Sequence, residues 1–154
     1  MKMTPGLFLP ASILPVLLAA QLAAQPAART VELQVGDNMK YSVATITAKP
    51  GERLRIVLKD VGKMPKPAMA HNFVLLKKGS DPKRFADLSA SARDTDFIAP
   101  ALKTEVLAST GLVGPGETKE VTFGAPAEAG TYTFVCTFPG HFSLGMKGTL
   151  VVSR

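Results

Sequence analysis

The residues best suited to chemistry lie in one short stretch near the C-terminus of this 154-residue chain. Residues 136–146, CTFPGHFSLGM, contain the single cysteine, Cys136, together with His141 and Met146. The other of the two histidines, His71, lies far upstream. A thiolate, two imidazoles and a thioether are the donors of copper sites in which two His and one Cys form a trigonal plane and a Met binds weakly on the axis. The chain therefore holds a donor set suited to copper that cycles between Cu(I) and Cu(II).

Taken singly, these donors have plainer explanations. His71 follows a loop, residues 61–70, in which two prolines exclude helix and central strand. A histidine at the mouth of a strand is well placed for a ligand, but a lone histidine there is more often a structural residue. Zinc would also accept a Cys and two His with a further ligand. Methionine is a poor zinc ligand, so Met146 favours copper, although zinc could still occupy the site in a recombinant preparation.

Length, charge and composition indicate one globular domain. The apolar and charged fractions, 46% and 19%, are those of a folded protein rather than a disordered one. The formal net charge of +6 fits either a merely soluble basic surface or steering toward an acidic partner or an anionic membrane. The Lys and Arg residues are scattered and form no run interleaved with aromatics, so we expect no nucleic-acid partner.

The lone cysteine excludes a disulfide within the chain. In an exported protein such a cysteine is an intermolecular bridge, a reactive thiol or a metal ligand. Unless it is a plain core residue, Cys136 is therefore chemically consequential.

Residues 1–28 have the pattern of a secretory signal peptide. Lys2 provides the positive start, a long uncharged apolar run follows, and small residues end it. Cleavage is expected at about residues 24–28, which leaves residues 29–154 as a single periplasmic or otherwise exported domain with no stable membrane insertion. The alternative is an uncleaved anchor, since the run approaches the roughly 20 residues that a spanning helix needs. Two prolines and the alanine-rich end favour cleavage, and the region lacks the cysteine that a lipoprotein requires.

The rest of the chain has the pattern of short strands separated by turns. Apolar and polar residues alternate in several runs, and Gly, Pro and Asn mark the turns between them. The predicted strands are residues 31–35, 41–47, 54–58, 73–76, 107–112, 117–123, 131–136 and 148–152. Ser80 or Asp81 can cap a helix that begins at Pro82, so a short helical insertion is expected around residues 81–92. The pattern predicts an all-β fold, a Greek-key antiparallel β-sandwich or barrel.

Several motifs resemble a known family. The run CTFPGH at residues 136–141 is highly specific, and AHNFVL at residues 70–75 resembles a Gly-His-Asn-aromatic-Val-Leu segment. Residues 111–117 and 146–150 also resemble segments of that family. By this resemblance the chain is identified as a small blue copper protein of the cupredoxin superfamily, similar to azurin and auracyanin over nearly the whole of residues 29–154.

The resemblance implies a type 1 copper site with defined ligand roles. His71, Cys136 and His141 would form the trigonal plane, and Met146 would be the long axial ligand. In azurin a glycine carbonyl approaches copper from the opposite axial side, and Ala70 occupies that position here. The Cβ of alanine restricts the backbone more than glycine does.

Two features depart from azurin. Four residues, 142–145, separate His141 from Met146 where azurin has three, a spacing that resembles auracyanin more. Gly145 can absorb the extra turn. Azurin also has a disulfide near its N-terminus, and a chain without that staple is expected to be less stable by about 2–4 kcal/mol.

Residues next to the ligands are expected to support the site. The resemblance suggests that Asn72 and Thr137 link the two ligand loops and fix the surroundings of the sulfur. They could equally satisfy only local backbone groups.

The family also has an apolar surface around the second histidine, where redox partners dock. Its counterpart in this chain, called the docking patch below, would comprise Met39, Met64, Ala68, Met69, Phe138, Pro139 and Leu144. Met side chains suit transient contacts, although these residues could also be ordinary core.

The leading hypothesis is an exported, monomeric one-electron carrier that shuttles electrons between redox proteins such as c-type cytochromes. The alternative is a periplasmic copper-binding or copper-delivery protein without a dedicated electron-transfer role. We do not expect an enzyme, because copper oxidases and nitrite reductases need further copper centres and the chain has only two histidines. The Met-rich or Cys-rich tracts of copper-storage proteins are absent, and a metal-free interaction module would leave the four donors unexplained.

Overall fold

The structure is a computed structural model that describes residues 27–154, so the expected signal segment lies almost wholly outside the described range. The α-helix, α1, is Pro82–Ser89, and short 3-10 helices span Arg93–Thr95 and Pro100–Glu105. The strands are β1 Arg29–Val35, β2 Thr45–Ala48, β3 Arg53–Asp60, β4 Val74–Leu76, β5 Val106–Ser109, β6 Thr118–Gly124, β7 Gly130–Val135 and β8 Lys147–Val152. The prediction of an all-β fold with a short helical insertion is confirmed.

The strands form two sheets, one in the order β1-β3-β6 and the other in the order β2-β8-β7-β4-β5. The pairs β3–β6, β4–β5, β4–β7 and β7–β8 are antiparallel as predicted. The pairs β1–β3 and β2–β8 are parallel, so the sandwich is not antiparallel throughout. The chain leaves β1 for β2 in the other sheet and returns to β3, and a strand that returns after two reversals pairs in parallel.

The segment between β1 and β2 shows how the chain changes sheet. The amide of Ser42 donates to the carbonyl of Gln34 in β1 (2.9 Å), and the Gln34 amide donates to Ser42 Oγ (2.9 Å). Only from Thr45 onward does the chain pair with β8. The strand predicted over residues 41–47 is therefore shorter than expected, because its first residues form the connection between the two sheets.

Two apolar clusters hold the sheets and the insertion together. The central cluster joins Leu33 and Ile56 of the first sheet to Leu75 and Phe134 of the second. The other lies on the outer face of the second sheet, where Phe85 of α1 packs with further residues, namely Val74, Leu76, Leu102 and Val135. Because the insertion covers this outer face, β4 and the end of β7 are buried on both faces.

The two ends of the sandwich differ in what they carry. Arg29, at the start of β1, lines the same small cavity as Ser153 and Arg154, so the beginning of β1 and the end of the chain lie at one pole. The end of β7 and the start of β8 lie at the opposite pole, and the loop 136–146 connects them there. Among residues 27–154, the structure contains no helix long and apolar enough to cross a membrane.

Candidate metal centre

Two loops at one pole of the sandwich carry the predicted donors. His71 ends the loop that follows β3 and is fixed by a two-bond bridge to Val113, whose carbonyl accepts from the His71 amide (3.0 Å) and whose amide donates back (2.8 Å). Cys136 directly follows β7, at the end of a strand whose inward residues are large aromatics. His141 and Met146 lie in the loop between β7 and β8. Strands from a packed core thus hold the loops in place.

The three strongest donors converge on one point. Donor atoms of His71, Cys136 and His141 lie within 4.8 Å of one another. Cys136 Sγ is 3.5 Å from His141 Nδ1, and the two imidazole rings are 4.9 Å apart between centroids. The exposed fractions of the three residues are 0%, 0% and 3%. The fold thus brings His71 together with Cys136 and His141, which lie 65 and 70 positions further along the sequence, in one buried site.

The hydrogen bonding of His71 shows that this pocket fits a metal ion. Both ring nitrogens of His71 are buried, and neither has a hydrogen-bond partner in the described part of the chain. Buried polar side-chain atoms nearly always have a partner, so an imidazole with two unsatisfied nitrogens is unusual. A cation next to the thiol and the second imidazole would take up one of these nitrogens. The mixture of one sulfur and two nitrogens suits copper.

Burial controls the protonation of all three donors. It raises the pKa of the Cys136 thiol to about 12, and the backbone amides of Asn72 and Phe138 oppose that rise because N–H groups aimed at sulfur favour the thiolate. Burial lowers the pKa of His141 to about 4, helped by the nearby His71. Burial also lowers the pKa of His71, against the opposing effect of Asp60 and Asp37. The imidazoles are therefore ready to bind a metal, whereas the thiol must first lose its proton.

The backbone of Met146 is hydrogen-bonded to the backbones of both Cys136 and His141. Its amide donates to the carbonyl of His141 (3.0 Å), and its carbonyl accepts from the amide of Cys136 (3.2 Å). Its side chain is completely buried in the same cluster as Cys136. Gly145 has a φ of +87°, the left-handed conformation expected of a glycine that absorbs an extra turn. Ala70 is also buried, at 1% exposure, and directly precedes His71.

Asn72 and Thr137 link the two ligand loops. Asn72 Nδ2 donates to Thr137 Oγ1 (2.8 Å), and the Thr137 amide donates to Asn72 Oδ1 (2.9 Å). Each residue directly adjoins a donor, His71 or Cys136. Both are buried, so the reciprocal pair closes one loop onto the other inside the protein.

Three residues that the sequence did not single out also reach the site. The hydroxyl of Tyr41 donates to the carbonyl of Asn72 (2.6 Å), and the carbonyl of Asp96 accepts from Asn72 Nδ2 (2.9 Å). The ring of Phe97 packs edge-on against that of Phe138, with centroids 5.2 Å apart. These contacts span 24 or more positions in the sequence, and no local motif marks them.

The predicted docking patch divides by exposure. Met64 and Leu144 are 42% and 56% exposed, and Ala68 and Pro139 are also exposed. Met39 and Phe138 are half-buried. Met69 was expected in the patch but is only 8% exposed, so it does not contribute an exposed side chain. The amides of Ala68 and Met69 both donate to the carbonyl of Pro65 (2.9 and 3.0 Å), and this turn places Met69 inside.

The chain resembles known copper proteins over almost its whole length. A family described as "Copper binding proteins, plastocyanin/azurin family" matches residues 27–153. Azurin of Pseudomonas aeruginosa is 38% identical over 92% of this chain and 94% of that protein. Auracyanin-B of Chloroflexus aurantiacus is 35% identical over 82% of this chain and 53% of that protein.

Solved structures agree with these sequence relatives. Auracyanin A of Chloroflexus aurantiacus, described as a "blue" copper protein, is similar with a TM-score of 0.73 and 34% identity, over 82% of this chain and all of that one. An azurin of Methylomonas sp. strain J gives a TM-score of 0.72 and 35% identity over 83% of this chain. The resemblance expected from the motifs is confirmed. The chain belongs to the plastocyanin/azurin family of copper-binding proteins, and its cofactor is a type 1 copper ion.

Proposed function

We propose that this protein is an exported one-electron carrier whose copper would be held by His71, Cys136 and His141, together with Met146 and the carbonyl of Ala70. The observation that carries the proposal is the buried convergence of one thiol and two imidazoles, one of which has no other partner. When bound, copper would supply the Cu(I)/Cu(II) couple. The residues of the chain would supply the rest, namely a fixed geometry, a dry pocket and a route for the electron.

The rigidity of the donors supports electron transfer rather than another copper chemistry. Cys136 and His71 are tied through the reciprocal Asn72–Thr137 pair, and His141 is tied to Met146 by a backbone hydrogen bond. Donors that cannot move keep the same positions in both oxidation states, so little reorganisation accompanies the gain or loss of an electron. The near-zero exposure of the donors would also slow exchange of the metal, which argues against a delivery protein.

The docking patch would be the point of contact with redox partners. The exposed members of the patch lie in two loops. Met64 and Ala68 lie in the loop that ends at His71, and Pro139 and Leu144 lie in the loop that contains His141. An apolar surface with flexible Met and Leu side chains fits a short-lived complex with a c-type cytochrome or another redox protein. We propose that the electron leaves through His141, which lies under the ring of Phe138 at a centroid distance of 4.8 Å.

We further propose that residues 1–28 are a signal peptide, cleaved at about residues 24–28, and that the mature protein is a monomeric periplasmic or otherwise exported domain. The composition of that segment supports this. Mass spectrometry of the protein recovered from the periplasmic fraction tests it. A mass that still includes the first residues, or recovery in the membrane fraction, would contradict it.

The first experiment is to express residues 29–154, add Cu(II), and record the absorption and electron paramagnetic resonance spectra. We expect an intense thiolate-to-copper band with narrow copper hyperfine splitting. Cys136→Ser should remove the band, because a hydroxyl is a poor donor for this charge transfer, whereas Met69→Leu should retain it. A pale wild-type protein with an ordinary tetragonal signal would refute the proposed site.

A second measurement separates the carrier from the delivery protein. The reduced protein is mixed with oxidised cytochrome c, and separately with a strong Cu(I) chelator. A carrier passes the electron within milliseconds to seconds and keeps its metal. Rapid loss of copper to the chelator without electron transfer would favour delivery.

A further inference from the structure

The turn at Asp96 and Phe97 has an unusual backbone. Both residues have positive φ, +52° and +57°, although neither is glycine. The left-handed conformation is costly for residues with a Cβ, and for a bulky side chain such as Phe it is a clear outlier. The turn is closed by hydrogen bonds from the Asp96 and Phe97 amides to the carbonyls of Arg93 and Ala92 (3.2 and 2.9 Å). Strain of this kind persists where surrounding contacts fix the conformation, and it is often found at functional sites.

Asp96 contacts the ligand loops through its backbone. Its carbonyl accepts from Asn72 Nδ2 (2.9 Å), the same nitrogen that donates to Thr137 Oγ1 (2.8 Å). Asn72 adjoins His71, and Thr137 adjoins Cys136. With both hydrogens of this nitrogen engaged, the amide plane of Asn72 has one orientation, which in turn fixes the Thr137 hydroxyl.

Phe97 contacts the same pole through its ring. It is 5% exposed, and its ring meets that of Phe138 at 5.2 Å and 72°. The ring of Phe138 lies 4.8 Å from that of His141, which lies 4.9 Å from that of His71. The amide of Phe138 also acts on the thiol of Cys136. A series of edge-on and tilted ring contacts therefore connects the strained turn to both imidazoles.

We propose that the Asp96–Phe97 turn is a positioning clamp for the metal site: the Asp96 carbonyl orients Asn72 between the ligand loops, and the Phe97 ring presses Phe138 onto His141. The left-handed backbone lets one turn make both contacts, because it directs a carbonyl and the next side chain to the same pole. This inference rests on the proposed electron-carrier function, in which the donors stay fixed and dry.

Loss of the clamp should change the reduction potential in a predictable direction. Without the Phe97 ring, Phe138 is free to move and water approaches His141. Water stabilises the more highly charged oxidised site over the reduced one, so the reduction potential should fall. In the metal-free protein, the loop 138–145 should become more mobile, and its amides, such as that of His141, which donates to the Phe138 carbonyl (3.1 Å), should exchange faster with solvent.

The test compares Phe97→Ala with Phe85→Ala. Both are buried phenylalanines of the segment between β4 and β5, but Phe85, in α1, belongs to the outer cluster, which meets loop 138–145 at Phe142 and not at Phe138. Phe97→Leu serves if the alanine variant does not fold, and Phe97→Tyr is the conservative rescue. The readouts are the reduction potential and hyperfine splitting of the copper form, and hydrogen exchange of the His141 amide, which donates to the Phe138 carbonyl, in the metal-free form.

We expect both alanine variants to be less stable, but only Phe97→Ala to change the reduction potential of the copper site. At the wild-type midpoint, its ratio of reduced to oxidised protein should fall by about threefold or more, roughly 28 mV for a one-electron couple. Exchange of the His141 amide should rise in Phe97→Ala and return to the wild-type rate in Phe97→Tyr. Equal potentials and equal exchange of the His141 amide in the Phe97→Ala and Phe85→Ala variants would overturn the clamp.

The two readouts separate this inference from the proposed function. If wild-type protein gives no blue site, the electron-carrier proposal fails. The exchange rates of the metal-free variants still decide whether the turn positions the loop.

Discussion

At the level of single residues, burial makes metal binding depend on one proton. The pKa of the Cys136 thiol is raised to about 12, while that of His141 is lowered to about 4. From about pH 6 to 9 the thiol is therefore protonated and the imidazole neutral. Each unit of pH increases the small thiolate fraction tenfold, so the affinity for Zn²⁺ should rise by about tenfold per pH unit. Competition with a chelator across this range measures the slope.

Cys136→Ser is the control for this slope. With only imidazoles left to bind, its affinity for Zn²⁺ should be low and nearly constant above pH 6 to 7. A wild-type affinity that does not change with pH would mean that Cys136 does not ligate or is already ionised.

Met69 and Met146 are both buried, and a leucine substitution at each shows which of them supplies the thioether to copper. Met146 is tied by its backbone to Cys136 and His141, whereas Met69 is tied to Pro65. Met146→Leu should keep copper and raise the potential, because the lost thioether is a weak donor to the oxidised metal. We expect at least a tenfold higher ratio of reduced to oxidised protein at the wild-type midpoint, roughly 59 mV. Voltammetry of both Leu variants checks this, and a shift seen only in Met69→Leu would assign the thioether to Met69.

The convergence of His71, Cys136 and His141 could be predicted from the sequence, because two of them lie within residues 136–146 and His71 stands in a recognisable motif. Tyr41 and Phe97 could not, because their contacts with Asn72 and Phe138 depend on how distant segments meet. The left-handed backbone of Phe97 could not be predicted from the sequence either, because glycine is the residue whose presence normally indicates that conformation.

At the level of elements, the close approach of β8 and β7 makes one glycine irreplaceable. Gly148 pairs with Phe134, and a Cβ there would overlap the Phe134 ring and lie 2.6 Å from the Ala44 carbonyl. Gly148→Ala should therefore lower the free energy of unfolding by about 1–3 kcal/mol. Urea unfolding of the metal-free protein measures the change.

Gly124, in β6, is the matched control. A Cβ at this position meets no atom within 4 Å, so Gly124→Ala should change stability by no more than about 0.5 kcal/mol. Equal effects of the two substitutions would mean that β7 and β8 adjust to the methyl group at little cost.

Alternation of apolar and polar residues predicted the strands well where one face is buried, as in β1 and β3. It gave no information on direction, because the parallel pairing of β1 with β3 depends on a crossing through the other sheet. The 3-10 helix Pro100–Glu105 was not predicted, since a short helix that lies over the outer cluster lacks a full period of apolar residues.

At the level of the whole molecule, we expect the fold to persist without the metal. Central residues such as Leu33, Leu54 and Phe134 are fully buried and pack sheet against sheet, while the donors occupy one pole. Removal of copper should leave the far-ultraviolet circular dichroism unchanged and lower only the melting temperature, because a ligand that binds the folded state more tightly than the unfolded one raises that temperature. Titration with a chelator during thermal unfolding tests this, and loss of the β-sheet signal at room temperature would contradict it.

The position of Arg154 has a practical consequence for attaching the protein to an electrode. Arg29 and Arg154 lie at the pole opposite the metal, and a strand of seven residues, about 20 Å long, separates the two poles. A C-terminal linker would therefore hold the metal on the far side of the film, facing the solution. Direct exchange with the electrode would be slow over that distance, while soluble partners would meet an unobstructed surface.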